Sequence, residues 1–317
     1  MKNTLLNITF GPGNRKKTLR SILNFYDQFS DDELPFIIIT DQSIDTWDNL
    51  EHRVIKAFHH YPVNKYSMYE MWIDLAKKYP HEYFCWNNDD DFTVPESLVI
   101  AETFMNANPD YTMCQGQVAA TVSNTRSLKE YAKSTWFQAD CDNPDPYIRI
   151  KNMFTNLHAN PHAVFRKDTF VNACNLCIES NTQKNNFGPL RFWDKILCYV
   201  SSVDGYRKTD LDCLMSIRSD RTITKQVAHI ANEYHQILEK NTPYIDIYHR
   251  LKPADNAVKK YFENKTGKNI EYDYLVNIFN ESNMGFTNSY NVDLLPHTKE
   301  KWYTYIDLAE QCWKHIT

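Results

Sequence analysis

The sequence predicts an α/β fold built on a mixed, mostly parallel sheet that is covered by helices. Strand-like and helix-like segments alternate over the first 120 residues, which is typical of parallel strands joined by crossover helices. An isoleucine-rich run at residues 36–40 has the continuous apolar character of a parallel strand buried on both faces. An acidic cluster directly follows a later strand, at the position where sheets of this kind bind ligands.

The individual elements are predicted from apolar spacing and turn residues. Strands are predicted at residues 5–10, 36–40, 53–58, 82–86 and 163–165, and helices at residues 17–29, 66–78, 95–105, 167–179 and 192–203. The helix over residues 95–105 begins with Pro95, which a first helical turn tolerates. Residues 123–146 are polar and are interpreted as a long surface segment.

Beyond about residue 220 the pattern becomes helical. Helices are predicted at residues 223–239, 254–264, 272–283 and 299–315. We therefore divide the chain into a sheet-containing domain over residues 1–220 and a helical C-terminal extension over residues 221–317. The extension is interpreted as a lid, a binding appendage or a helical buttress on the core.

Charge and composition exclude several classes of protein. The net charge of −5 weighs against broad nucleic-acid binding, which depends on an excess of lysine and arginine. The chain has only 7 glycines, and neither a G-x-G-x-x-G nor a G-x-x-x-x-G-K-[ST] motif is present. The common phosphate-binding loops are therefore excluded, and a dinucleotide fold of the usual kind is disfavoured.

The cysteines and the apolar runs indicate where the protein works. Cys174 and Cys177 form a C-x-x-C without a second pair, so we interpret them as core residues on a helix face rather than as zinc ligands. The sequence has neither a signal-peptide pattern nor 18 consecutive apolar residues. We expect a cytoplasmic protein without a transmembrane segment, whose cysteines stay reduced.

The acidic cluster is the strongest candidate for chemistry. Asp89, Asp90 and Asp91 directly follow the strand-like segment Tyr83–Trp86. Two carboxylates spaced in this way can hold Mg²⁺ or Mn²⁺ beside a diphosphate, because such ions use one or two carboxylates together with substrate phosphates. The alternative is a solvated acidic turn near the N-terminus of the helix that begins at Pro95.

A second enzyme class uses similar residues. Asp89, Asp91 and Thr93 fit the D-x-D-x-T pattern of haloacid-dehalogenase-type phosphatases, in which the first aspartate is the nucleophile. Those enzymes usually carry the motif on the first strand of the chain, whereas here a complete strand–helix–strand–helix unit precedes it.

With its elements in this order, the chain resembles GT-A-type glycosyltransferases over roughly residues 4–218. It resembles the large inverting family 2, and within that family a bacterial and phage-associated branch with a D-D-D-F signature. The matching segments are Asn7–Phe10 followed by Asn14 and Arg15 (with Gly11–Gly13 inserted), Ile39–Ser43, Lys65 and Asn88–Phe92. The resemblance implies a Rossmann-like GT-A fold. It also implies donor-binding roles for Thr9, Phe10, Arg15, Asp41, Lys65, Asp89 and Asp90, and a metal site at Asp89 and Asp91.

The resemblance also supplies a catalytic residue. The segment from Phe192 to Gly205 fits the family's helix that begins with an acidic residue and ends in glycine before the next strand. Asp194 thereby aligns with the general base that deprotonates the acceptor hydroxyl. The alternative for Asp194 is a helix N-terminal aspartate that interacts with free backbone N–H groups, and Glu179 is then the next candidate base.

The function implied is metal-dependent, inverting transfer of a sugar from a nucleotide-sugar donor. A UDP-sugar is favoured, and the acceptor hydroxyl belongs to a glycan, a lipid-linked sugar or a modified DNA base. A non-catalytic module that binds nucleotides or sugars is the other hypothesis on the same fold. A few polar residues are open between a site role and ordinary hydrogen bonding or solvation: His158, His162, His229, His235, Arg166 and Arg218.

Overall fold

The computed structural model describes residues 3–10, 16–42, 51–62, 64–89, 91–120, 132–133, 141–155, 162–180, 192–218, 244–271 and 300–313. At a few positions within the helices and strands, among them 192–195, 218 and 244–253, it describes the backbone alone. The strands are β1 (Thr4–Phe10), β2 (Phe36–Asp41), β3 (Ala57–His60), β4 (Tyr83–Asn88), β5 (Asp91–Thr93), β6 (Tyr111–Ala120), β7 (Ala132–Lys133), β8 (Val164–Arg166) and β9 (Tyr206–Arg218). The helices are α1 (Lys16–Tyr26), α2 (Met68–Lys78), α3 (Pro95–Ala107), α4 (Pro146–Thr155), α5 (Lys167–Glu179), α6 (Phe192–Asp204), α7 (Tyr244–Thr266) and α8 (Glu300–Trp313).

The strands form one mixed sheet with the order β3-β2-β1-β4-β8-β6-β9-β5, and β7 pairs with β6. β1 runs parallel to β2 and β4, and β3 runs parallel to β2. β8 lies antiparallel between β4 and β6, β9 runs parallel to β6, and β5 is antiparallel to β9. The predicted fold class, a Rossmann-like α/β arrangement with a mixed, mostly parallel sheet, is confirmed.

Helices cover both faces of the sheet, which gives three layers. Helices α2, α5, α6 and α7 pack on one face, and α1, α3 and α8 pack on the other. Successive strand residues point to opposite faces. In β1, Leu6, Ile8 and Phe10 therefore join the core beneath α1, while Leu5 joins the core beneath α2. Burial on both faces explains why this strand has no polar side facing water.

Several predicted elements agree closely with the structure, because the spacing of their apolar residues matches the face that each element buries. The helix predicted at residues 167–179 is α5, and the helix predicted at residues 192–203 is α6 with one further residue. Cys174 and Cys177 lie buried on α5, where burial raises the pKa of the Cys174 thiol. All eight cysteines are buried, and Cys174 and Cys177 both belong to the core cluster beneath α2, so the interpretation of the C-x-x-C as core residues is confirmed.

Other predictions were wrong or incomplete. The strand expected at residues 53–58 is instead β3, because pairing with β2 begins only at Ala57 and the preceding residues form a turn. Strands β5, β6 and β9 were not predicted from periodicity. β6 and β9 pair with one another through several register shifts, and these disrupt the regular alternation that marks a strand. α7 is longer than the predicted helix, since it runs through Pro253.

The described part of the C-terminal extension packs against the core. Val258 and Phe262 of α7 join the cluster beneath α2, and Trp302 and Trp313 of α8 join the cluster beneath α1. These contacts fit the buttress interpretation, while the boundary near residue 220 stays a prediction. The helices predicted at residues 223–239 and 272–283 lie outside the described residues. Among the helices that are described, none combines the length and apolarity needed to cross a bilayer.

Replacing Trp313 with alanine should destabilise the fold. The Trp313 ring lies 4.8 Å from the Phe92 ring, and only 7% of the residue is exposed. We expect the free energy of unfolding in urea to fall by about 3–5 kcal/mol, as for other buried aromatic truncations. Tyr303→Ala on the same helix is the control, because Tyr303 is 39% exposed and should lose less than about 1 kcal/mol. Equal losses in the two variants would contradict the packing of α8.

Candidate functional site

The parallel strands bring the predicted site residues to one edge of the sheet. β1, β2, β3 and β4 all end at this edge, which we call the upper edge; the lower edge is the one at which they begin. The final residues of β2 and β3 are Asp41 and His60, and the chain leaves β4 directly into Asp89. Ligands of open α/β sheets bind outside the carboxyl ends of the strands.

A buried hydrogen-bond network centred on Thr9 lies just beneath the upper edge. Thr9 Oγ1 accepts hydrogen bonds from the indole N–H groups of Trp72 and Trp86, at 3.3 and 3.0 Å. Asn7 Nδ2 and Thr40 Oγ1 also lie within hydrogen-bond distance of the same oxygen, at 3.0 and 3.2 Å. The network joins β1, β2, β4 and α2. It occupies the Thr9 hydroxyl, so the hydroxyl's role here is structural, and the predicted role of Thr9 in donor binding stays a prediction.

Asp41 is held by its neighbour on β3. His60 Nδ1 lies 3.0 Å from Asp41 Oδ2, and the Tyr61 backbone N–H donates to the Asp41 carbonyl at 2.8 Å. The Asp41 side chain is completely buried, while 17% of the His60 side chain is exposed. Because a carboxylate is an acceptor, the imidazole donates from Nδ1. His60 therefore fixes the orientation of Asp41 at the strand end.

Asp89 lies beside the first turn of α1. Thr18 Oγ1 donates to Asp89 Oδ2 at 3.4 Å, and Asp89 is 5% exposed. α1 follows β1, so its N-terminus lies at the upper edge. The positive end of the helix dipole favours a carboxylate or a phosphate at this point.

Asp91 lies in a second group with Asn87 and His162; the sequence predicted Asp91 as a metal ligand and left the role of His162 open, but it did not predict that these residues meet. The Asp91 side chain is completely buried, and His162 Nε2 lies 3.6 Å from its Oδ2. His162 Nδ1 lies 3.1 Å from Asn87 Oδ1, and Asn87 Nδ2 donates to the Asp91 carbonyl at 2.9 Å. The Asn87 side chain therefore links the Asp91 backbone to the His162 ring, and the other side of the ring faces the Asp91 carboxylate.

The donor atoms of this group suit a divalent cation. A carboxylate oxygen and an imidazole nitrogen are ordinary ligands of such ions, which complete their shells with water and phosphate oxygens. Within the described part of the chain, no three histidine, cysteine or acidic side chains cluster as a ready-made metal site. Asp89 therefore does not join Asp91 and His162 in such a cluster here, and its predicted metal role stays a prediction. Asp91 is fully covered, so a cation reaches it only if its surroundings rearrange.

Aromatic residues of α1 anchor the acidic segment. The Phe92 ring stacks on the Phe25 ring with centroids 4.4 Å apart. Tyr26 Oη donates to the Thr93 carbonyl at 3.1 Å and accepts from the Thr93 backbone N–H at 3.2 Å. Burial raises the pKa of Tyr26, so its hydroxyl stays protonated. The segment that carries Asp91 is therefore fixed by core packing.

The topology brings Asp194 to the same edge. α6 ends at the lower edge, where the Tyr206 backbone N–H donates to the Asp110 carbonyl at 2.8 Å. The helix has 13 residues and spans about 20 Å, so it begins near the upper edge with Asp194 in its first turn. Gly205 is needed at its end because an added Cβ would lie 2.5 Å from the Asp110 carbonyl oxygen. The Asp194 side chain lies outside the described residues.

The structure describes only some of the remaining predicted site residues. The Phe10 side chain is buried in the core beneath α1, and Lys65 is exposed in a turn. Arg15 and Asp90 lie outside the described residues, as do Asn14, His158, His229 and His235 and the side chain of Arg218. α5 begins at the lower edge and ends in Glu179, which lies at the upper edge with an exposed side chain. The donor-binding roles of these residues stay predictions.

Arg166 does not belong to the site. It lies at the lower edge, where its guanidinium donates to the carbonyls of Tyr111, Met105 and Asn108 at 2.7–3.2 Å. The sequence leaves Arg166 open between a phosphate contact and a solvated surface residue. Its guanidinium instead donates hydrogen bonds to carbonyl groups near the end of α3 that have no partner within the helix. The sequence carries no signal for this role, since the carbonyls come from distant residues.

The comparisons with known proteins give similarities of fold. No protein-family model matches the chain, and no curated protein matches it in sequence. Among solved structures, the chain is similar to TarS 1–349 of S. aureus in complex with UDP, with 10% identity, a TM-score of 0.42, and coverage of 81% of this chain and 72% of that one. The UDP-GlcNAc complex of TarS 1–349 also has 10% identity and a TM-score of 0.42, and the match covers 97% of this chain and 87% of that one. A CMP:2-keto-3-deoxy-manno-octonic acid synthetase complexed with CTP has 11% identity and a TM-score of 0.38 over 73% of this chain and 99% of that one. Such scores assign no function to this chain.

The Thr9 network can be tested with Thr9→Val, which keeps the shape of the side chain and removes its hydroxyl. Two buried indole N–H groups then lose this acceptor, so we expect the free energy of unfolding to fall by about 1–3 kcal/mol in urea titrations. Thr103→Val is the control, because the exposed Thr103 hydroxyl bonds only its own helix in the contacts described. A Thr9→Val chain as stable as wild type would contradict the network.

Proposed function

We propose that the chain is a metal-dependent, inverting glycosyltransferase that moves a sugar from a UDP-linked donor to an acceptor hydroxyl. The observation that carries the proposal is the position of the acidic residues. Asp89 and Asp91 directly follow the central strand β4, at the same edge as Asp41. The sequence resemblance to GT-A enzymes supports a nucleotide-sugar site at this edge.

The donor would lie across the upper edge, with its nucleoside towards β2 and its diphosphate towards β4. Asp41, oriented by His60, is the proposed contact for the base or ribose. Asp89 and the first turn of α1 lie where the diphosphate is expected. A phosphate beside a helix N-terminus gains from free N–H groups and the helix dipole. We propose Arg15, Lys65 and Asp90 as further donor-binding residues, on the basis of the sequence resemblance alone.

The residues suit a cation that assists departure of the diphosphate. When bound, Mg²⁺ or Mn²⁺ supplies positive charge to the leaving oxygens. Asp91 would hold the ion, with Asp89 as the second carboxylate of the proposal. The anchoring of Phe92 and Thr93 in the core holds the backbone beside Asp91 in place, so the rearrangement that admits the ion would involve the groups that cover the carboxylate.

Asp194 is the proposed general base. It would take the proton from the acceptor hydroxyl as the oxygen attacks the anomeric carbon and the nucleoside diphosphate leaves. One displacement inverts the anomeric centre, and the proton passes to the Asp194 carboxylate. The acceptor hydroxyl belongs to a glycan, a lipid-linked sugar or a modified DNA base. The net charge of −5 disfavours the DNA base.

The phosphatase hypothesis has less support. The strand that precedes Asp89 is the fourth along the chain rather than the first, and the antiparallel strand β8 lies next to it. Such a mixed sheet agrees with the GT-A resemblance. The non-catalytic binding module shares this fold, and the test of Asp194 separates it from a transferase.

UDP should stabilise the protein only in the presence of a divalent ion. A diphosphate beside Asp89 and Asp91 meets like charge unless a cation lies between them. We expect UDP with Mn²⁺ to raise the apparent free energy of unfolding, by about 2.7 kcal/mol at 100 times Kd, and UDP in EDTA to have no effect. Asp91→Asn should abolish the effect. Asp210→Asn, which changes an exposed carboxylate on β9, should retain it. Equal stabilisation in EDTA would contradict a metal–diphosphate site.

Asp194→Asn should lower the transfer rate without weakening donor binding. The amide caps a helix about as well as the carboxylate but cannot accept the proton, so we expect a fall of about 10²–10⁴-fold. The measurement is UDP release from the UDP-sugar and acceptor that the wild-type chain uses best, together with donor titration. Asp168→Asn is the matched control, because Asp168 lies in the first turn of α5 at the lower edge. Wild-type turnover in Asp194→Asn would move the base elsewhere, to Glu179 first, and no turnover in wild type would indicate a binding module.

A further inference from the structure

We propose that His60 selects the base of the donor nucleotide, with its Nε2 accepting a hydrogen bond from the ring N–H of uracil. This rests on the proposed function, because it names the group that would favour a UDP-linked donor. His60 is the last residue of the edge strand β3 and lies opposite Asp41 in the pairing with β2. The two side chains therefore lie together at the upper edge, where two parallel strands end.

The imidazole is the member of this pair that a ligand can reach. The Asp41 side chain is completely buried, whereas 17% of the His60 side chain is exposed. In the part of the chain that the structure describes, the side chain of His60 makes one hydrogen bond, which joins Nδ1 to Asp41 Oδ2 at 3.0 Å. Nε2 is not one of the polar atoms of the described residues that are shut off from solvent without a partner. This second nitrogen therefore faces the solvent.

The Asp41 carboxylate determines which ring nitrogen carries the hydrogen. A carboxylate only accepts, so Nδ1 donates, and in the neutral ring Nε2 presents its lone pair. The bond to a fully buried carboxylate also holds the ring in one orientation. The pair thus offers an oriented acceptor at the upper edge of the sheet.

An oriented acceptor favours a ligand group that donates. N3 of uracil carries a hydrogen, whereas N3 of cytosine has a lone pair and only accepts. A site that bonds an N–H group rejects an analogue that lacks it, because the polar groups of the site are then left unpaired. Phosphate oxygens are acceptors as well, and they carry the same sign of charge as Asp41. The base, rather than the diphosphate, is therefore the part of the donor that suits His60.

The spacing of the strands agrees with a base at His60 and a diphosphate at Asp89. In the sheet, β2 and β1 lie between β3 and β4. Three strand spacings of about 4.8 Å separate the ends of β3 and β4 by about 14 Å. This separation is comparable to the length of an extended nucleoside diphosphate, so one donor can contact both strand ends.

The test is calorimetric titration of the full chain, in the presence of Mn²⁺, with UDP, with CDP and with UDP methylated at N3. We expect the wild-type chain to bind UDP at least about 10-fold more tightly than either analogue, because neither offers a hydrogen to Nε2. His60→Asn should reduce this preference to less than about 3-fold, since the asparagine amide keeps a donor towards Asp41 and lacks the second nitrogen.

His59→Asn is the matched control. His59 precedes His60 on β3 and points to the opposite face of the sheet, where its Nε2 lies 2.7 Å from the Tyr79 hydroxyl. This variant should keep the wild-type preference for UDP. An equal loss of preference in the two variants would assign the effect to distortion of β3 and overturn the role of His60.

The outcomes separate this proposal from the proposed function. Equal binding of UDP, CDP and the methylated nucleotide by the wild-type chain would overturn selection by His60 and leave the transferase site intact. This comparison needs no variant, so a poorly folded His60→Asn chain does not prevent the decision. A full preference for UDP in a folded His60→Asn chain would assign the base contact to another residue and overturn the proposal. Absence of UDP binding to the wild-type chain would overturn the proposed function itself.

Discussion

The hydrogen bonds that converge on the Thr9 hydroxyl are the interaction on which the upper edge of the sheet depends. They join the ends of β1, β2 and β4 to α2 through the indoles of Trp72 and Trp86 and the polar side chains of Asn7 and Thr40. Parallel strands are usually apolar on both faces, so buried polar groups here require partners, and the network provides them. Because each donor comes from a different element, these elements have little freedom to shift against one another. The positions of the residues that directly follow these three strands are therefore constrained as well.

The acidic segment after β4 is fixed from a second direction by aromatic packing. Phe92 lies between Phe25 of α1 and Trp313 of α8. Ser21 of α1 also donates to the carbonyl of Cys312 at 2.9 Å. The end of the chain is therefore part of the support beneath the candidate site. This support holds the backbone of the acidic segment in place at the edge of the sheet.

The two groups of polar residues at the upper edge differ in what they can bind. Asp41 with His60 combines an anionic acceptor with a partly exposed imidazole, which suits a base or ribose rather than a phosphate. Asp91 and His162 lie in a fully covered position and contact one another, so this group is part of the packing beneath the edge. Asp89 lies at the N-terminus of α1, on the side expected for a diphosphate. This division is the reason why the proposal orients a nucleotide-sugar donor across the edge.

The sequence by itself determined those elements that depend only on residues close together in the chain. The apolar runs of β1, β2 and β4, the helical spacing of α5 and α6, and the acidic residues after β4 are all encoded within short windows, so periodicity predicts them. Only the tertiary structure decided the long-range pairings. β6 and β9 acquire their strand character from one another through register shifts that no local period records. The antiparallel entry of β8 brings His162 to Asp91, and the return of the chain end brings Trp313 to Phe92. Contacts between distant residues depend on how the sheet orders its strands, and that order is set by the packing of the whole chain rather than by any segment of it.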